Sequence, residues 1–421
     1  MKIVSLFDGM ACGMLAMLGA GVEVDEYYAY EIDKYAVQTA THNFPNIIEC
    51  GDVFKADFTQ YKDVDFIVGG SPCTYWSIVQ KNNRETEASG LGWELFSQYV
   101  RALNEIKPRF FIYENNKSMS KAIRESITEA FGFDAICINS ALVSAQNRQR
   151  LYWVGKRNED GTYSKVDVQQ PEDRGILLRD ILDSGMDLTS RDKNFAYTTR
   201  CNGAIPEDTI KRNRHTMVAE AVNTTPDEKS QTIKAQYQQT SVANICKYTS
   251  TYGATGVAEE VADFPKQVGA MPRPNGELST SQGFRIYDVN AKTVTLKGNA
   301  GGAGGKTGLY AMPVEFENGI PTKAISSSDG KTYTVYSVSN GIIVIKGKEY
   351  PIKLQDGYYI IRKLSVSECK RLQTVPEWYE FPVSNAQAYK MLGNGWTVEV
   401  IIHLILSCFY ELGEEYFDAG W

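Results

Sequence analysis

Histidine is scarce in this chain, and its cysteines are not spaced as metal ligands. Only three histidines occur in 421 residues, and none of the eight cysteines forms a C-x-x-C pair. Zinc sites in proteins are built mainly from such cysteine pairs and histidines. The sequence therefore predicts no metal site and no histidine-based catalytic triad, and we expect most cysteines to be reduced and buried.

Long apolar runs are also lacking. No run approaches the ~20 residues that a membrane-spanning helix needs. The N-terminal stretch MKIVSLFDGM carries one Lys and then continues into a strand-like run. This start is typical of a folded N-terminus and not of a signal peptide. We expect a monomeric, cytoplasmic protein without a membrane partner.

Excess positive charge is absent from the chain as a whole. The formal net charge is −7, which argues weakly against a polyanionic partner such as duplex DNA. However, residues 187–350 carry 19 basic and 16 acidic side chains, a net of +3, so the remainder, with 25 and 35, has a net of −10. Composition therefore permits a DNA-facing patch on the middle segment without establishing it.

Strand-like runs alternate with helical patterns over residues 1–155. The helical patterns span Lys34–His42 and Trp93–Ile106, and Asp33 is an N-cap candidate for the first. Alternating units of this length predict an α/β fold with a parallel, doubly wound sheet. The predicted strands are Ile3–Phe7, Tyr27–Glu31, Phe66–Gly69, Phe110–Glu114 and Leu151–Val154.

The amino-acid composition changes after residue 186. A connector with a short predicted helix at Leu177–Leu182 leads into a segment dominated by Thr, Asn, Gln, Gly and Ser. This segment contains β-like runs at Tyr333–Val338 and Gly341–Lys346, and a Gly-rich run at 298–305 that predicts a flexible or closely approached loop. The pattern indicates a second, smaller domain that is mostly β or irregular.

Helical periodicity returns near the C-terminus, at residues 361–375 and in the apolar stretch Thr397–Tyr416, which we expect to pack back on the sheet. We therefore predict two domains. The first spans residues 1–186 and is completed by 385–421, and the second spans 187–384.

Three predicted strand ends carry residues suited to a nucleoside cofactor. The turn Phe7–Gly13 joins the first strand to an apolar helix, and its glycines allow a ligand to approach backbone N–H groups. Glu31 ends the second strand, where an acid typically holds ribose hydroxyls, and Asp52 is placed to accept from an adenine amine. The turn alone fits an ordinary tight turn equally well, and spacing does not separate NAD from S-adenosylmethionine.

Two further strand ends carry candidate catalytic groups. Cys73 follows a Gly-Gly-Ser-Pro turn, where its thiolate is placed to attack an electrophilic ring carbon. Taken alone, this motif is more often a buried structural cysteine. Glu114 ends a buried-type strand, where a carboxylate suits the edge of a base. An exposed carboxylate is the alternative.

Polar residues alternate just before the last predicted strand. Since alternate residues of an extended segment point to one face, Gln146, Arg148 and Arg150 are predicted to project together. Two fixed guanidinium groups suit a carbonyl oxygen and a phosphate. A solvated charged stretch is the alternative.

The ordered series of motifs resembles the DNA cytosine C5-methyltransferase family, in particular its animal de novo-like and phage-type branch. Any one motif is weakly specific, but their joint order is very specific. The resemblance covers residues 1–155 and 361–400. It rests on Phe7–Gly13, Glu31, Gly51-Asp52, Pro72-Cys73 with Ser77, Glu114-Asn115, Gln146-x-Arg148-x-Arg150, Arg362–Gln373 and Leu392–Val398.

This resemblance implies a Rossmann-like class I methyltransferase domain with a target-recognition domain at 187–384, acting on double-stranded DNA. Cys73 would attack carbon 6 of an extruded cytosine, Glu114 would hold N3 and the exocyclic amine, and Arg148 or Arg150 would grip O2. Trp76, Ser77 and Gln146 are expected to contact the DNA. S-adenosylmethionine, released as S-adenosylhomocysteine, should be bound by Phe7, Asp8, Gly9, Gly13, Glu31, Ile32, Asp52, Val53, Pro72, Asn394 and Val398.

Two departures from the family pattern concern local geometry. Asn116 stands where the family usually has Val, and Thr74-Tyr75-Trp76 replaces a more common Gln-containing run after the cysteine. We expect activity, because the catalytic Cys, Glu and both Arg are retained.

Three other functions remain open. They are a tRNA cytosine methyltransferase on the same scaffold, which the long middle segment disfavours, a non-catalytic DNA-binding relative and a nicotinamide oxidoreductase.

Overall fold

The structure is a computed structural model, and it describes most of the first 183 residues and of the C-terminal quarter. The described residues are 1–77, 84–183, 219–222, 255–258, 264–296, 308–314, 316, 324–326 and 332–411, without the side chains of Cys73, Thr332 and the three short segments beginning at 219, 255 and 324. The Gly-rich run at 298–305 lies outside the described residues.

The first sheet is doubly wound and mostly parallel, as the sequence predicts. Its strand order is β3-β2-β1-β4-β5-β7-β6, with β8 paired to β7. The pairs among β1 to β5 are parallel, whereas β7 runs antiparallel to β5, β6 and β8. The strands are β1 (Lys2–Leu6), β2 (Glu26–Tyr30), β3 (Ile48–Glu49), β4 (Phe66–Gly69), β5 (Phe110–Asn116), β6 (Ile136–Asn139), β7 (Gln149–Arg157) and β8 (Tyr163–Lys165).

Helices cover both faces of this sheet because each presents an apolar stripe to it. Buried side chains of α1, α2 and the C-terminal helix α7 share one core with β1, β4 and β5, and those of α3 and α4 share the core on the opposite face. These helices are α1 (Cys12–Gly19), α2 (Lys34–Asn43), α3 (Gly90–Ile106), α4 (Lys121–Phe131) and α7 (Val398–Tyr410). Asp33 caps α2 as predicted, accepting from Tyr35 N at 2.9 Å.

A second sheet is built from the later part of the chain. Its order is β11-β12-β13-β18-β15-β16-β17, with β14 on β15, and β9 pairs separately with β10. The strands are β9 (Ala219–Val222), β10 (Thr255–Ala258), β11 (Gln267–Ala270), β12 (Arg285–Asp288), β13 (Leu309–Val314), β14 (Ala324–Ser326), β15 (Thr332–Ser339), β16 (Ile342–Ile345), β17 (Lys348–Pro351) and β18 (Gly357–Arg362).

Two helices follow the second sheet, α5 (Val366–Leu372) and α6 (Asn385–Asn394). The predicted helical start at residue 361 is wrong, because Ile361 and Arg362 are the end of β18. Ser365 and Glu368 form a capping box that starts α5. Glu368 is fully buried and accepts from both terminal nitrogens of Arg362, at 2.7 and 2.6 Å.

Residues 289–296, which follow β12 of the second sheet and which we call the junction, bond that sheet to the first domain. Its Lys292 is buried and donates to the carbonyls of Ala141, Ser144 and Ile176 at 2.8, 3.2 and 2.5 Å. Thr293 forms a parallel bridge with Gln146. The junction is thereby bonded to the segment of the first domain that leads into β7.

Within the described residues, one helical stretch, Asn385–Tyr410, is long and apolar enough to cross a membrane by length and composition. Of its apolar window, 61% is buried inside the protein, which is the pattern of a core helix. Cys12, Cys369 and Cys408 are buried, and Cys50 and Cys137 are half-buried.

Candidate active site

The turn after β1 meets the end of β2. Phe7, Gly9 and Ala11 have φ angles of 59°, 63° and 58°, so the backbone turns through the left-handed region three times. The Gly9 N–H donates to Glu31 Oε2 at 2.8 Å, and Glu31 Oε1 accepts from the N–H groups of Ile32 and Asp33 at 2.8 Å each. The predicted Gly9 and Glu31 are therefore in direct contact.

Asp8 is turned into the core between β1, β2 and α1. Its Oδ1 accepts from the Tyr27 hydroxyl at 2.6 Å, while Oδ2 is buried without a protein partner. Burial raises the pKa of Asp8 to about 6. Gly13 must be glycine here, because a Cβ would lie 2.5 Å from the Tyr27 hydroxyl oxygen.

Acidic side chains also lie at the end of β3 and in the turn after it. Asp52 accepts from Phe54 N at 3.0 Å and caps a 3₁₀ turn that begins at Val53. The Val53 side chain is buried, whereas Ile32, after β2, is 77% exposed. Burial raises the pKa of Glu49 to about 7, and neither of its carboxylate oxygens has a protein partner. Glu49 was not among the predicted site residues, although an acid in a short strand shortly before Asp52 is visible in the sequence.

A carboxylate with two fixed donors lies at the end of β5. Glu114 is buried, its Oε1 lies 3.0 Å from Arg150 Nε, and its Oε2 accepts from the Trp396 indole N–H at 3.0 Å. A Cβ at Gly70 would lie 2.7 Å from the Glu114 carbonyl oxygen. The glycine thus lets the loop after β4 approach this carboxylate.

That loop contains Pro72, which is exposed, and a 3₁₀ turn at Cys73–Tyr75, while the Cys73 side chain lies outside the described part of the chain. The start of the loop is held in place, because Asn115 Nδ2 donates to the Ser71 carbonyl at 3.1 Å. Asn116 in turn donates to Asn115 Oδ1 at 3.1 Å and accepts from Ser118. The residue that replaces the usual Val therefore belongs to a polar network that supports the loop.

Two predicted DNA contacts are buried. Trp76 is 0% exposed and its indole donates to Glu85 Oε2 at 3.0 Å, whereas Ser77 is half-buried. Gln146 is also 0% exposed, and neither of its amide atoms has a protein partner. In this conformation neither Trp76 nor Gln146 is placed to touch DNA, because each lies inside the protein.

The two arginines do not project together. Arg150 pairs with Glu114, but the buried Arg148 guanidinium donates to the carbonyls of Leu296, Gly393 and Gly395, at 3.1, 3.2 and 2.8 Å for its shortest bonds. The reason is that Arg150 lies opposite Asn116 on β5, whereas Arg148 lies beyond the last paired residue of that strand. The structure thus brings Arg150, and not Arg148, to the carboxylate.

The segment between α6 and α7 closes this region. Asn394 is exposed and Val398 is fully buried. Trp396, between them, lies within the motif Leu392–Val398 but was not predicted as a site residue, although it is the residue that contacts Glu114. Among the described residues, no group of three or more His, Cys, Asp or Glu side chains is arranged to hold a metal ion.

Comparison with known proteins gives a consistent family and fold. A family model described as C-5 cytosine-specific DNA methylase matches residues 1–409. Orphan methyltransferases of Bacillus phage SPR and Bacillus phage SPbeta are 26% and 24% identical, covering 95% of this chain in each case and 95% and 96% of the relatives. A solved methyltransferase of Entamoeba histolytica superposes with a TM-score of 0.53 at 12% identity, covering 98% of this chain and 99% of the other. The last likeness shows the fold alone.

Proposed function

The chain belongs to the C-5 cytosine-specific DNA methylase family and is a DNA (cytosine-5-)-methyltransferase, and from this premise we propose its chemistry. The enzyme transfers a methyl group from S-adenosylmethionine to carbon 5 of a cytosine flipped out of duplex DNA, through a transient covalent bond to Cys73. Its substrate is double-stranded DNA with a short target sequence, in the cytoplasm of a bacterial or phage-infected cell, and it acts as a monomer.

One observation carries this proposal. The Glu114 carboxylate is held between Arg150 and Trp396 at the end of β5, beside Gly70 at the start of the cysteine loop. β4 and β5 are parallel neighbours, so their carboxyl ends meet at one edge of the sheet. This is the edge where open α/β sheets place their ligands.

The residues at the adjacent strand ends fit S-adenosylmethionine. The position where a Cβ at Gly9 would lie has no protein atom within 4 Å, so a ligand has access to the turn. The buried Asp8 Oδ2 and both Glu49 oxygens have no protein partner. Glu31 would bind the ribose and Asp52 the adenine amine, with Ile32 and Val53 against the ring. S-adenosylmethionine supplies an electrophilic methyl group when it is bound.

The protein's part in the reaction begins with the thiolate of Cys73. It adds to carbon 6 of cytosine, and the electron pair of the 5,6 double bond moves to carbon 5, which becomes nucleophilic. Glu114 accepts from the exocyclic amine and shares a proton with N3, and Arg150 donates to O2, so that these groups stabilise the charge that develops on the ring. After methylation a base removes the carbon 5 proton, the double bond re-forms, and Cys73 leaves as a thiolate. Extruding the base costs a few kcal/mol.

We propose that residues 187–384 recognise the target sequence, because they lie between the catalytic motifs and carry the net positive charge. Arg148 is assigned a different part from Arg150. With its guanidinium bound to three carbonyls, it fixes the segment between α6 and α7.

The proposal is tested by bisulfite sequencing of plasmid DNA from cells that express the protein. The expected result is 5-methylcytosine in one short motif, and none with Cys73→Ala. Cys137→Ala, a half-buried cysteine on β6, is the control and should leave methylation intact. Unmodified plasmid alongside methylated tRNA would contradict the proposal and favour the tRNA-modifying alternative.

A further inference from the structure

Trp396 contacts the Glu114 carboxylate through the oxygen that Arg150 does not contact. Its indole N–H donates to Glu114 Oε2 at 3.0 Å, while Arg150 Nε lies 3.0 Å from Oε1. On the premise of the proposed function, we propose that Trp396 is a positioning residue that sets the orientation of Glu114 toward the cytosine amine. The contact also couples that carboxylate to the segment beside the cofactor site.

The segment that carries Trp396, residues 392–397, is fixed by long-range hydrogen bonds. Arg148 donates to Gly393 O and Gly395 O. Gln373 Nε2 donates to Leu392 O at 2.6 Å, and its Oε1 accepts from Thr397 at 2.8 Å. Because these bonds hold the backbone on both sides of Trp396, the indole is a fixed donor and not a mobile one.

The same segment touches the first turn of α1. A Cβ at Gly395 would lie 3.2 Å from Cys12 Sγ and 3.7 Å from Met10 Sδ. Cys12 begins the helix that follows the Phe7–Gly9 turn, so one short segment contacts both the cofactor-side turn and Glu114.

A carboxylate accepts at about four lone-pair positions. Arg150 and Trp396 occupy one position on each oxygen, which leaves a position on each oxygen for the base. The terminal torsion of a glutamate is broad, so a single donor would not fix the carboxylate plane. Two donors on different oxygens do fix it, and Trp396 supplies the second.

The test measures binding of duplexes to Trp396→Phe, which keeps an aromatic ring and loses the donor. One duplex carries cytosine at the target position found by sequencing, and the other carries 2-pyrimidinone, which lacks the exocyclic amine. Both are measured with S-adenosylhomocysteine present. We expect about ten- to hundredfold weaker binding of the cytosine duplex and a clearly smaller loss for the 2-pyrimidinone duplex, which keeps N3 but has no exocyclic amine for Glu114 to hold.

Trp378→Phe is the matched control, since Trp378 is 48% exposed and packs edge-to-face on Phe44. It should leave both affinities unchanged. In a Glu114→Gln background, Trp396→Phe should no longer change the ratio of the two affinities. The ratio of the two affinities does not depend on the fraction of protein that folds, because misfolded protein lowers the apparent binding of both duplexes by the same factor.

An equal loss for both duplexes would overturn the proposal and leave Trp396 a structural residue, and no loss for either would also overturn it. Failure of the proposed function is distinguishable, because it would appear in the wild-type enzyme as unmethylated plasmid. The positioning proposal is judged on an enzyme that methylates DNA.

Discussion

Replacing Asp8 by asparagine should remove a pH-dependent loss of stability. Burial raises the pKa of Asp8 from 3.8 to about 6, and the negative charge of Glu31 also raises it, while the hydrogen bond from Tyr27 acts in the opposite direction. The folded protein therefore retains a proton on Asp8 at pH values where the unfolded chain has already released it.

The sign and size of the effect follow from this difference. Between pH 3.8 and about 6 the folded state binds more protons at Asp8, so its stability falls as the pH rises. Below this window the group contributes nothing, and above it the full loss is present. At about 1.36 kcal/mol for each pH unit between the two pKa values, the loss amounts to about 3 kcal/mol.

The assay is the free energy of unfolding from urea curves at a series of pH values from about 4 to 8. Asp8→Asn should lie above the wild type by up to about 3 kcal/mol at the upper end and converge with it at the lower end. Asp134→Asn, at an exposed position after α4, is the control and should follow the wild type. If the free energies of unfolding of Asp8→Asn and the wild type differed by the same amount at every pH, the reasoning would be refuted.

Three further substitutions test the packing around the site. Glu368→Ala leaves the buried Arg362 without its partner and should lower the free energy of unfolding by about 3–5 kcal/mol, and the double replacement Arg362→Met, Glu368→Leu should recover at least half of that loss. Urea unfolding of the wild type and these two variants would decide, and a loss below about 1 kcal/mol for Glu368→Ala would contradict the prediction. Lys292→Met leaves three buried carbonyl groups without their donor and should lower the free energy of unfolding by at least ~2 kcal/mol, measured as a lower urea midpoint. An unchanged midpoint would argue against the junction as an anchor. Gly13→Ala places a methyl group 2.5 Å from the Tyr27 hydroxyl and should lower stability by about 1–3 kcal/mol; Tyr27→Phe should relieve part of this loss in a double-mutant cycle, and strict additivity would show that the two side chains do not meet.

Much of the first sheet could be predicted from local sequence, because its strands are continuous buried runs followed by turns. The Asp33 cap and the contact between the Gly9 turn and the end of β2 follow from the same logic, since parallel neighbours end at one edge. The identity of Glu114 as a site residue also depended on its place at a strand end. These features require only a few consecutive residues and the general geometry of a parallel sheet.

The features that were not predicted are those set by distant segments. Arg148 was grouped with Arg150 by alternation, but its partners Gly393 and Gly395 are about 245 residues away in sequence. Trp76 was expected to contact the DNA, yet its indole is buried and donates to Glu85, nine residues later. Trp396 was not predicted as a site residue because its contact with Glu114 arises only when the segment between α6 and α7 is brought beside β5.

The junction bears on any attempt to alter which DNA sequence the enzyme recognises. Its lysine is anchored to three carbonyls of the first domain, and its backbone is paired with residues leading into the strand that carries Arg150. A graft that exchanged the whole middle segment would remove these bonds and disturb the catalytic arginine along with the specificity. An exchange that begins after Leu296 and ends before β18 keeps the anchor in place, so hybrid enzymes with that breakpoint should retain a formed catalytic site.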